Sequence, residues 1–254
     1  MTGARISTRV TALAVAGCAA VAGLLAVAGC AASGRDPGAA DAVVDVSSSA
    51  VVPSTRVTAS TSTTQRSTEY RTDAGTDGER VVVVGDSITN EGRIEIAAAL
   101  GRDHRVVIDG RPGLQIAHQQ PTAVSLADSR PSIAIIELGT NDVLSGRDVR
   151  SSAQDMAQMV ATFAASRCIV LVTVDSGLPR IGASSRAREL GASYRALAAN
   201  DPRIRLVDVD AIRVASEADP RFVGPFLYDG IHPTAAAHER LAAAYADAIA
   251  DCGA

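Results

Sequence analysis

The stretch VVVVGDSITNEG, residues 81–92, holds the key to the fold. Four consecutive valines are β-branched and apolar, the mark of a strand buried on both faces, as in a parallel sheet. They run straight into Gly85-Asp86-Ser87, where glycine permits a sharp turn and the serine falls at the start of a helix. A serine there has two readings. Its hydroxyl caps the helix, or the strand is a rigid support that presents a nucleophile where the helix dipole favours developing negative charge.

Outward from this stretch, short β-branched runs alternate with Ala-rich amphipathic segments. Strands are expected at 81–84, 105–108, 133–137, 168–174 and 204–207, and helices at 91–100, 122–128, 148–165, 184–199 and 233–250. This alternation predicts an α/β chain of parallel βαβ units. The natural architecture is a flavodoxin-like three-layer α/β/α sandwich with a five-stranded parallel sheet in the order 2-1-3-4-5. Such sheets bind ligands outside the carboxyl ends of their strands, so function is expected just after 84, 108 and 137 and just before the last helix.

Each of these places holds something. Ser87 follows the first strand. After the second comes IDGRPGLQI, where Gly110 or Gly113 lets the backbone approach a ligand and point an N–H at it; the alternative is an ordinary turn. After the third comes ELGTNDV, where the amide of Asn141 suits an oxyanion, though Asn-Asp is also turn chemistry. Before the last helix, YDGIHPTAAAH sets Asp229 three residues ahead of His232. Pro233 suits the first helical position and holds His232 extended, so a tight turn brings the carboxylate onto one ring nitrogen and leaves the other for a nucleophile. His104, His118 and His238 fit capping or solvated roles better.

Together these supply a nucleophile, a base, a group that orients the base, and oxyanion donors. The set resembles the SGNH (GDSL) hydrolase family over about residues 80–251: GDSI, the glycine of GRPG, GTND and DGIH follow the order of the family's blocks. The resemblance implies Ser87 as nucleophile, His232 as general base and Asp229 as its partner. It also implies the Ser87 and Gly113 N–H groups and the Asn141 amide as the oxyanion hole. Many members carry asparagine five residues before the second-block glycine; here Ile108 stands there, beside Asp109, and Gly110 is an alternative to Gly113. Thr89 occupies the position where an α/β-hydrolase elbow needs glycine, which favours SGNH over that fold.

The implied activity is that of a serine esterase or acylhydrolase forming an acyl-enzyme, without a cofactor. An O-acyltransferase acting on envelope glycans would use the same groups, and a non-catalytic envelope-binding lipoprotein is the contrasting class. Phe222, Phe226 and Tyr228 fall within seven residues ahead of Asp229 and are read as one wall of an acyl or alcohol pocket; equally, they pack under a long loop.

Composition narrows the field. All 24 basic residues are arginine, so Schiff-base chemistry and a phosphate-loop lysine are excluded. A net charge of -4 argues against nucleic-acid binding. Four scattered histidines offer no metal-binding spacing.

The N-terminal segment, 1–29, reads as a bacterial lipoprotein signal: Arg5 and Arg9 precede an uncharged apolar run that ends in LLAVAGC, with Cys30 as the lipidation site. An uncleaved anchor or ordinary secretion is the alternative. Residues 30–79, rich in Ser, Thr and Ala, read as a disordered tether, with the hydrolase domain at 80–254. The protein is therefore expected at the outer face of the cytoplasmic membrane or in the cell envelope, lipid-anchored and acting on a small-molecule, lipid or glycan ester. Cys168 and Cys252 form an even pair in an exported chain, which points to a disulfide; two buried thiols are the alternative.

Overall fold

The computed structural model describes residues 69–71 and 78–253. The signal segment 1–29, the lipidation cysteine Cys30 and most of the tether 30–79 lie outside these residues. The strands are β1 (Glu69–Arg71), β2 (Glu79–Gly85), β3 (His104–Gly110), β4 (Ile133–Glu137), β5 (Cys168–Val172) and β6 (Ile204–Val207), in one sheet ordered β1-β3-β2-β4-β5-β6. The five strands from β2 to β6 pair in parallel and in the predicted order.

The valines of β2 show why two cover layers are needed. All four are fully buried. Val82 and Val84 pack on one face with Ile116 and Ala123 of α3 (Ile116–Ala127), Met156 and Met159 of α5 (Val149–Thr162), and Leu190 and Tyr194 of α6 (Ala183–Asn200). Val81 and Val83 pack on the other with Ile96 and Leu100 of α2 (Arg93–Leu100) and Leu241 and Tyr245 of α8 (Ala235–Ala250). Alternation along the strand thus splits one apolar run between two cores.

The expected five-stranded sheet is corrected to six. β1 lies within the stretch read as tether and pairs antiparallel with the free edge of β3, Tyr70 opposite Ile108. Three residues with one large apolar side chain carry no periodic signal. They are held by the ladder and by Tyr70, which packs on the second core.

Three helices stand outside the predicted set, α1 (Ser87–Glu91), α4 (Thr140–Ser145) and α7 (Val209–Ala218), and α3 begins six residues ahead of its expected start at 122. Pro121, which marks a helix start by pattern, lies inside α3. The helix extends upstream because the Asp142 carboxylate accepts the N–H of Ile116 at 3.0 Å, a cap supplied by another element.

Cys168, at the start of β5, is bonded to Cys252 in the short 3₁₀ turn Asp251–Gly253 after α8, with Cα atoms 5.8 Å apart. This is the amino edge of the sheet, opposite Ser87. Among the described residues, no helix is long and apolar enough to cross a membrane.

Candidate active site

β2 ends at Gly85, and only glycine fits there: a Cβ would sit 1.7 Å from Thr89 Oγ1. Thr89 itself donates to Glu137 Oε2 at 2.5 Å, drawing α1 (Ser87–Glu91) down on the end of β4. Asp86 caps α1, its Oδ1 accepting the N–H of Ile88 at 3.0 Å. The capping role considered for Ser87 therefore belongs to its neighbour. Ser87 is the first helical residue, and its N–H has no acceptor among the described residues.

The segment from Leu227 to Pro233 closes on itself through a β-bridge between those two residues and an N–H of Tyr228 donated to the His232 carbonyl at 2.9 Å. Inside the turn, Asp229 Oδ1 accepts the N–H groups of Ile231 at 2.9 Å and His232 at 2.7 Å. Its Oδ2 lies 2.7 Å from His232 Nδ1, and His232 Nε2 lies 2.9 Å from Ser87 Oγ. Gly230 allows the turn with φ +82°, packed against Pro179 of the β5–α6 loop. Partial burial works against an ionised Asp229, but the His232 and Ile231 N–H groups and the His232 ring outweigh it and hold the carboxyl down at about 2. An imidazole pinned by a carboxylate, with its far nitrogen on a hydroxyl, can take that hydroxyl's proton.

α4 organises the facing side. Asn141 Nδ2 donates to Asp86 Oδ2 at 3.0 Å and to the Leu114 carbonyl at 3.1 Å, so both amide protons are engaged. Asp142 holds Ile116, and Gln115 Nε2 donates to Ser145 Oγ at 2.7 Å. Three successive residues after Gly113 are thereby tied to one short helix. Gly113 has φ +79°, open space where a side chain would be, and an N–H without an acceptor among the described residues. Gly110 has a packing reason of its own: a Cβ there would meet Asn90 N at 2.4 Å, so glycine lets α1 approach the end of β3 closely. Asp109, beside Ile108, pairs with Arg111 at 2.8 Å.

Residues 83–240, more than half of the chain, match the model of the GDSL-like lipase/acylhydrolase family. The chain belongs to that family. No curated protein sequence matches it. Solved structures share the GDSL hydrolase fold at low identity. The acetylxylan esterase of Geobacillus stearothermophilus is 20% identical with a TM-score of 0.55, over 68% of this chain and 94% of that one. TesA is 24% identical with a TM-score of 0.54, over 68% and 99%. A lipolytic G-D-S-L family member from Veillonella parvula is 17% identical with a TM-score of 0.56, over 66% and 96%.

The aromatic wall expected of this GDSL hydrolase needs correction. Phe226 is 1% exposed and sits in the second core, with Phe222 against it at 6.1 Å between ring centroids. They pack under the loop, because two adjacent rings gain more from leaving water than from lining a wet cleft. Tyr228 alone reaches the site. Its ring stacks on His232 at 5.8 Å and its hydroxyl donates to Glu91 Oε2 at 3.2 Å.

Two buried carboxyls next to the nucleophile escaped the sequence reading. Burial, with Glu137 nearby, pushes Asp86 up to about 7 against its hydrogen bonds from Ile88 and Asn141. Burial also raises Glu137, whose Oε1 accepts from the hydroxyl of Tyr245 at 2.6 Å. The available signal was a carboxylate closing the apolar run IAIIE beside the Val-rich strand. Among the described residues no cluster of three or more His, Cys, Asp or Glu could hold a metal ion.

Proposed function

We propose that this GDSL hydrolase is a serine esterase of the cell envelope that cleaves a carboxylic ester through an acyl-enzyme. The observation that carries the proposal is the continuous Asp229–His232–Ser87 relay, at 2.7 and 2.9 Å, beside two N–H groups left without acceptors. His232 Nε2 takes the Ser87 proton while Oγ attacks the ester carbonyl carbon. The oxyanion is received by the N–H groups of Ser87 and Gly113 and by Asn141, whose amide keeps its bond to Asp86 and exchanges the Leu114 carbonyl for the oxyanion. The imidazolium then protonates the departing alcohol, and a water activated by His232 releases the acid.

The acetylxylan esterase among the structural neighbours makes acetylated glycans and other short-acyl esters the first substrates to try. Location rests on the N-terminal signal: Cys30 would carry the lipid, and the residues between it and β1 would hold the domain off the membrane. The test is hydrolysis of p-nitrophenyl acetate together with fluorophosphonate labelling, each compared with Ser87→Ala. Turnover or labelling that survives the substitution rejects the assignment.

A further inference from the structure

Asp86 is buried between β2 and the helix that begins with Ser87, and its two oxygens face different partners. Oδ1 accepts the N–H of Ile88 and so sets the first turn of α1, to which the Ser87 N–H belongs. Oδ2 accepts from Asn141 Nδ2, and that same amide donates its second proton to the Leu114 carbonyl, one residue past Gly113. One carboxylate therefore joins the loops that carry all three oxyanion donors.

We propose that Asp86 is a positioning residue for the oxyanion hole, fixing the Asn141 amide and the start of α1 so that the donors converge before substrate arrives. The inference rests on the esterase reading of the site. Asp86 touches no reacting atom; it acts through Asn141. Donors aligned in advance need little reorganisation as charge develops, and this is where such sites gain most of their rate. A merely structural Asp86 would act as a helix cap, with effects on stability and none specific to kcat.

The two roles separate by substitution. Asp86→Asn keeps the shape and the capping oxygen but turns an amide donor toward the Asn141 amide. Asp86→Ser keeps a good cap and is too short to reach Asn141. Both are measured for kcat and KM on p-nitrophenyl acetate, with thermal unfolding as the check on folding, alone and combined with Asn141→Ala. The expected result is a fall in kcat of roughly tenfold to a hundredfold in each, below the full loss of a donor. KM should stay within about threefold, and the further loss in the Asn141→Ala background should be under about threefold, as for residues acting through one contact. Wild-type kcat in either folded variant overturns the proposal, as does a loss that appears in full in the Asn141→Ala background. A wild-type protein without turnover instead overturns the esterase reading, and the inference falls with it.

Discussion

Ser87 Oγ and His232 Nε2 stand 2.9 Å apart although 145 positions separate the residues in the chain. The first rides on the end of the central strand and the second on a turn closed by its own hydrogen bonds, so neither depends on a flexible arm. Groups held on rigid elements need little ordering at the moment of reaction.

Removing the relay piece by piece should give graded losses. Ser87→Ala and His232→Ala are expected to lower kcat/KM by roughly 10⁴-fold or more, and Asp229→Asn by less, because the base remains and only its orientation suffers. Steady-state kinetics on p-nitrophenyl acetate, with circular dichroism to confirm folding, decide this; equal losses for Asp229→Asn and His232→Ala would contradict the assigned order.

Asn141→Ala should cost about two to three decades in kcat, the usual loss for one oxyanion donor. Acylation measured by stopped flow should carry that deficit, whereas substrate affinity should not.

The two aromatic positions should behave in opposite ways. Phe226→Ala empties a core site and is expected to destabilise by about 3–5 kcal/mol with no change in acyl-length preference. Tyr228→Ala removes a half-exposed ring stacked on His232, so it should lower kcat/KM while the melting temperature moves by no more than about 2 °C. Calorimetry paired with an ester panel from acetyl to octanoyl tests both.

Stability should carry the signature of Asp86. Its folded pKa, raised by burial to about 7 from an ordinary 3.8, means that the folded state holds a proton the unfolded chain releases. That preference stabilises the fold in full below about 4 and is lost as pH rises through about 7. Asp86→Asn cannot ionise, so its melting temperature should gain on the wild type by a few degrees between pH 5 and pH 8. A difference that stays flat or moves the other way would show that Asp86 ionises at its ordinary pH.

The Cys168–Cys252 bond closes a loop with a sequence separation of 84 at the edge of the sheet away from Ser87. Cys252→Ser is expected to lower stability by up to about 4–5 kcal/mol in the chain-entropy model while esterase activity at 25 °C is unchanged. Thiol titration of the unfolded, unreduced protein, finding neither of these cysteines free, checks the bond itself.

Much of the architecture was legible in residue order alone. The valines of 81–84, the order of the five parallel strands, and the placing of Ser87, the Gly110–Gly113 loop and Asn141 after strands and of Asp229 and His232 before the last helix follow from periodicity and turn chemistry. These are governed by neighbours within a few positions. The choice of Gly113 came from the family resemblance. Tertiary structure alone decided the rest. β1 exists because β3 had a free edge, α3 starts early because Asp142 caps it from a distance, and Phe226 went inward where a pocket wall was expected. The hydrogen bonds that engage the amide of Asn141 reach Asp86 and Leu114, 55 and 27 positions away, and the burial that raises Asp86 comes from the packed chain around it. Desolvation and long-range hydrogen bonding depend on what the folded chain brings alongside, and no local pattern encodes that.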